Sequence, residues 1–176
     1  MEKISQYIDQ LNEWIGRLTA WLTLAMVIVT FTVVILRYLF DQGSIALQES
    51  ITAMHALVFM LGAAYTLRHE GHVRVDIFYR RFGERGRAWV DLFGVLLLLI
   101  PVTLFITWVS WEYVASSWAL REGSREAGGL PGVYLLKSVI PLMSLLLLLQ
   151  GVAMGLRALC VLRGCTPQQE VGRDDT

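Results

Sequence analysis

The sequence predicts an all-α integral membrane protein: four transmembrane helices, with an amphipathic interfacial helix between the second and third. Three observations carry this. The 176 residues are 55% hydrophobic, with a mean hydropathy of +0.54. A soluble domain must keep a polar surface and is rarely so apolar. Four runs without Asp, Glu, Lys or Arg cover 18–36, 50–67, 92–111 and 138–156. Each is long enough to cross a hydrocarbon core of about 30 Å as a helix. Between the second and third runs lies TLRHEGHVRVDIFYRRF (66–82), the most basic stretch of the chain.

Residues 1–16 are mixed and amphipathic, with Ile4, Ile8, Leu11 and Ile15 on one helical face and Trp14 beside it. The first span, about 17–38, closes at Arg37, Tyr38 and Asp41, and Gly43 marks a turn. The second span is about 48–68. Gly71 then offers a break. From there Val73, Ile77, Phe78 and Phe82 recur near helical spacing, with Arg74, Arg80, Arg81 and Arg85 on other faces. That pattern predicts an interfacial segment, about 72–86, with its arginines toward anionic lipid headgroups. The third span is about 89–112. Pro101 lies well inside it and is expected to kink it and free a carbonyl. A polar loop with Gly123, Gly128, Gly129 and Pro131 leads to the fourth span, about 133–157. A polar tail, 166–176, is expected to be flexible. The whole is expected to be one membrane domain, without a removable signal peptide.

Charge sets the orientation. Formal net charge is zero, so nothing pulls the chain as a whole toward nucleic acid. Lys3, Arg17, six arginines from Arg68 to Arg87, and Arg157, Arg163 and Arg173 fall on one side of the four spans. Arg37, Arg121, Arg125 and Lys137 fall on the other. The positive-inside rule then predicts cytoplasmic N- and C-termini. Cys160 and Cys165 do not form a CxxC and read as thiols rather than a disulfide framework.

Weakly polar stripes run along each span: Thr19, Thr23, Met26 and Thr30; Gln48, Thr52 and His55; Thr103, Thr107 and Ser110; Ser144, Gly151 and Gly155. The last two form a GxxxG. In lipid, small residues and hydroxyls mark helix-packing faces. No Asp, Glu, Lys or Arg lies deep in a span, where coupled transporters usually place ionisable groups. His55 is expected to bond across helices as a neutral ring. It has no second histidine at its depth to share a haem. His69, Glu70, His72 and Asp76 make a poor zinc set. No nucleophile, base and orienting group meet at one depth, so no enzyme, cofactor or metal site is expected. Glu49 favours the N-terminal dipole of the second helix or a partner subunit. Glu112 and Lys137 flank the loop and are expected to pair with each other or with Arg121 and Arg125.

These residues resemble a known family. GHVRVD (71–76), after a helix ending LGAAYTLR (61–68), is similar to the most recognisable stretch of the small membrane subunit of tripartite ATP-independent periplasmic (TRAP) transporters. Glu49 matches an acidic residue before that helix. GGLPGVYLLKSVIPL (128–142) resembles the family's entry to the fourth helix, with Pro131, Lys137 and Pro141. The resemblance implies an inner-membrane subunit paired with a large multi-span subunit and served by a soluble periplasmic binding protein. It implies sodium-driven uptake of organic acids, with the substrate and sodium sites on the large subunit and this chain bracing the scaffold. Partner or lipid contacts are expected at Glu49, Arg68, Gly71, His72, Arg74, Asp76, Lys137, Gly151 and Gly155. The competing expectation is a membrane-anchor or redox accessory subunit of another complex.

Overall fold

Each uncharged run becomes a helix. The computed structural model describes residues 2–72, 77 and 79–164. The described residues form α1 (Glu2–Leu39), α2 (Ile45–Arg68), a 3-10 turn (Tyr79–Arg81), α3 (Glu84–Gly94), α4 (Ile100–Leu120) and α5 (Val133–Leu162). A π-helical stretch, Val95–Leu99, joins α3 to α4. Glu84–Leu120 is therefore one rod, and four helices are long and apolar enough to cross a membrane. Among the described residues there is no strand.

The last helix is the hub. α5 packs against α1, α2, α3 and α4, while α1 lies mainly on α2. The reason is its composition. Ser144, Gln150, Gly151, Ala153, Gly155 and Ala158 of α5 are all buried, and small side chains let neighbouring backbones approach. Ala88 and Leu92 of α3 meet Ala158 in a small apolar cluster. The outer faces are oily: Val27 and Phe31 on α1, and Phe105, Trp108 and Val109 on α4 are exposed, as lipid-facing residues should be.

Several expectations change. α1 does not divide into an amphipathic segment and a span; it is one helix of 38 residues. In its first turns the inward face is the polar one. Ile4 and Leu11 are exposed, while Ser5, Asn12 and Thr19 are buried. Those polar residues, with Asp9 and Gly16, repeat every three or four positions, so they share the inward face.

Among the described residues of 72–86 no separate interfacial helix is seen. Residues 73–76 and 78 lie outside the described residues. Beyond them come the 3-10 turn and then α3, which runs directly into the third span. α2 does end just before Gly71, but the left-handed conformation falls one residue earlier. Glu70 takes that conformation, with φ 53°, and the Gly71 N–H closes back on the Thr66 carbonyl at 2.9 Å.

Pro101 acts through the turn before it. Proline offers no N–H and its ring crowds the carbonyl four residues back. The helix widens over Val95–Leu99, and the Ile100 N–H reaches the Val95 carbonyl instead of closing a normal α turn. The Thr103 hydroxyl then donates to the Leu99 and Ile100 carbonyls at 2.9 and 3.0 Å. Thr103, placed on a packing stripe by sequence, is buried there.

Candidate functional site

The structure gathers the chain's polar side chains at the two ends of the bundle. The loop end holds residues 40–44 and 121–132. The terminus end holds the start of α1 and the end of α5.

At the loop end, Glu49 projects from the first turns of α2 toward the 121–132 loop. It accepts a hydrogen bond from the Ser124 hydroxyl and one from the Leu130 N–H at 2.7 Å. The GGLPG motif is built for this contact. Gly128 adopts φ 80°, which favours glycine. A Cβ on Gly129 would stand 2.7 Å from a Glu49 carboxylate oxygen and 2.4 Å from the Ser124 hydroxyl. Glycine at 129 is therefore what lets the loop close on Glu49. Beside this clamp, a cavity of about 420 Å³ opens between α2 and the start of α5, lined mainly by apolar groups including Ala53, Pro131, Val133 and Leu136.

Lys137 makes the second loop-end contact, and its partner differs from expectation. It pairs with Glu122 rather than Glu112. Its ammonium also sits 4.0 Å from the centroid of the Tyr113 ring. Glu122 further accepts from the Ser117 hydroxyl at 2.7 Å. The Lys137 ammonium, and after it the Ser117 hydroxyl, hold the Glu122 carboxyl below its usual range. Arg121 takes a left-handed conformation, φ 46°, which ends α4 and turns Glu122 back toward α5.

At the terminus end, Asp9 accepts from Arg157 at 2.5 Å and from the Gln150 side-chain amide at 3.0 Å. Arg68 donates to the Glu13 carboxylate and to the Asp9 backbone carbonyl, both at 2.7 Å. His69 lies 2.9 Å from Glu13. Deeper in, Asn12 donates to Gln150 at 2.6 Å, and both are fully enclosed, at 1% and 0% exposure. Buried amides are costly unless bonded, so this pair pins α1 to α5. Gly16 completes the fit: a Cβ there would meet the Tyr65 ring at 2.3 Å.

Between the ends, the GxxxG of α5 faces the third span. A Cβ on Gly151 would stand 2.6 Å from Leu99, and one on Gly155 would stand 3.6 Å from Val95. The other sequence-marked residues divide. Arg68 joins the terminus-end cluster. His72 is exposed. Arg74 and Asp76 lie outside the described residues. His55 does not bond across helices; it points out of the bundle with no hydrogen bond among the described residues. Thr23 and Thr30 are exposed too, donating to carbonyls of their own helix. Sequence reasoning misses Asp9, Asn12, Glu13 and Gln150. The signal that could have found them is the repeat Ser5, Asp9, Asn12, Gly16, Thr19, a polar line opposite the apolar one.

Comparison with known families matches residues 26–161 to tripartite ATP-independent periplasmic transporters, DctQ component. The chain belongs to this family. The DctQ match takes in α2, the loop and nearly all of α5, and so Glu49, Lys137, Gly151 and Gly155. It begins after Asp9, Asn12 and Glu13. A relative, the C4-dicarboxylate TRAP transporter small permease protein DctQ of Vibrio cholerae, is 28% identical over 111 residues. That match covers 63% of this chain and spans 46% of the relative, less than half its length. No solved structure matches the chain.

Proposed function

We propose that this chain is the small permease subunit of a TRAP transporter in the bacterial inner membrane. It braces the scaffold of a large multi-span subunit, which takes up an organic acid from a periplasmic binding protein on a sodium gradient. Membership of the DctQ family carries the reading. The geometry supports a bracing role. Among the described residues, Asn12 Oδ1 is the one buried side-chain polar atom without a hydrogen-bond partner. The Glu49, Lys137, Asp9 and Arg68 side chains all bond within the chain. Polar groups tied to one another hold a shape; they do not present themselves to a passing substrate. An organic acid fits the relative's named substrate class, C4-dicarboxylate.

In this reading the subunit is not an enzyme, its termini are cytoplasmic, and the basic stretch 68–87 meets anionic lipid. Arg74 and Asp76 serve assembly, so replacing both lowers the yield of complex and leaves substrate preference unchanged. The deciding experiment purifies the tagged chain from its native membrane in mild detergent and identifies what accompanies it. A stoichiometric large multi-span protein, with sodium-dependent uptake by the pair plus its binding protein, is the expected result. Recovery alone, or with a cytochrome or dehydrogenase, rejects it.

A further inference from the structure

Most exposed side chains along the spans are apolar, but one line on α2 is mixed and polar. Gln48, Thr52, His55 and Phe59 are all exposed there. They succeed one another at spacings of four, three and four, and Gly62 continues the line. A Cβ on Gly62 would meet nothing within 4 Å, so the line stays open at that end. Such a 3.5-residue repeat is the seam of a left-handed helix pair.

His55 makes this face hard to leave in lipid. At 1.5 Å per residue it sits about 15 Å from the loop end of α2, near the middle of a hydrocarbon core about 30 Å thick. Exposed hydroxyls elsewhere satisfy themselves: Thr23, Thr30 and Thr32 donate to their own helix at 2.6, 2.7 and 2.8 Å. An imidazole reaches no such carbonyl here, and acyl chains offer neither donor nor acceptor. Thr52 barely bonds its own helix, at 3.5 Å from the Gln48 carbonyl. Thr52 also lines the 420 Å³ apolar cavity beside the loop. The polar seam and the cavity therefore form one continuous surface.

We infer that this seam is where a transmembrane helix of the large permease subunit docks, resting on the proposed function for the existence of that subunit. The docking helix places a hydrogen-bonding group opposite His55, crosses closely at Gly62, and seats a bulky apolar side chain in the cavity beside Thr52 and Ala53. A helix fits better than a lipid because the surface has a polar group at mid-depth as well as an apolar hollow.

The test uses the intact complex in native membranes. A photo-crosslinking amino acid is placed at position 55, 59 or, as a control, 27 on the apolar face of α1. Adducts to the large subunit from 55 and 59 but not from 27 are expected. Adducts only to lipid, or to a second copy of this chain, overturn the seam. A second measurement compares His55→Leu and Gly62→Leu with Val27→Ala in co-purification. His55→Leu is expected to lower recovery of the large subunit about tenfold, the upper scale of one interhelical hydrogen bond, and Gly62→Leu to lower it by blocking the close crossing, while the chain's own melting temperature is kept. Unchanged recovery overturns the inference. If tagged wild-type chain recovers no large subunit at all, the proposed function fails instead, so the two failures are distinct.

Discussion

Asp9 accepts from Arg157, from Gln150 and, through its backbone carbonyl, from Arg68, so one residue gathers three helices. Removing the carboxylate leaves Arg157 and the Gln150 amide short of an acceptor, while Arg68 keeps the backbone carbonyl and Glu13. Asp9→Ala is expected to cost about 1 to 2 kcal/mol, between the scales of an exposed and an enclosed ion pair because Arg157 is partly exposed, read as a lower melting temperature in detergent. Two glycines make a sharper test. Gly16→Ala and Gly129→Ala each force a Cβ into occupied space, at the Tyr65 ring and at the Glu49–Ser124 contact. Overpacking of that kind typically costs about 1 to 3 kcal/mol. Gly16→Ala is expected to loosen α1, and Gly129→Ala to expose the loop to protease without unfolding the helices. Glu122 gives a pH dependence. Its folded-state carboxyl lies below the ordinary 4.5. Its contribution to the loop is thus complete above about pH 4.5 and is lost as pH falls through the lowered value. Hydrogen exchange of the loop amides is expected to quicken in acid, and Glu122→Gln to remove that acid step. Sequence marked Glu49 and Lys137 because they stand alone near span ends. It did not reveal their partners, because Ser124, Leu130 and Glu122 are set by how the loop folds back, which no periodicity records.

At the level of helices, the uncharged runs located every span. Boundaries and faces were harder. In water an apolar line on an amphipathic helix marks the core, but α1 turns its Ile4 and Leu11 outward. In lipid the apolar side is content outside, and the polar line finds its partners inside. The GxxxG was legible because small residues have the same meaning in any bundle. It supports a graded prediction. Gly155→Ala meets Val95 at an ordinary contact distance and is expected to fold normally. Gly151→Ala must displace the tip of Leu99, a modest shift. Gly151→Leu is expected to separate α5 from the third span and lower the melting temperature strongly. A Leu variant as stable as wild type would mean that α5 meets that span by another face.

Taken whole, the molecule is a bundle tied at both ends and held in the middle by close packing. The family resemblance in GHVRVD and GGLPGVYLLKSVIPL agrees with the DctQ match over residues 26–161. The bracing role predicts that the isolated chain binds no organic acid. Titration calorimetry of purified subunit with dicarboxylates and oxo acids is expected to be flat, and a saturable signal would argue against the role.

The terminus-end cluster joins residues that the ribosome delivers far apart. Asp9 and Arg157 are 148 positions from one another, and Asn12 and Gln150 are 138 apart. Membrane helices enter the bilayer in order of synthesis. Until α5 arrives, Asp9 and Asn12 lack these partners, and α1 carries an open polar line at the terminus end. The cluster thus closes only on the complete set of helices. A chain cut short before α5 would display those groups to the quality-control proteases of the membrane, and only a finished subunit would conceal them.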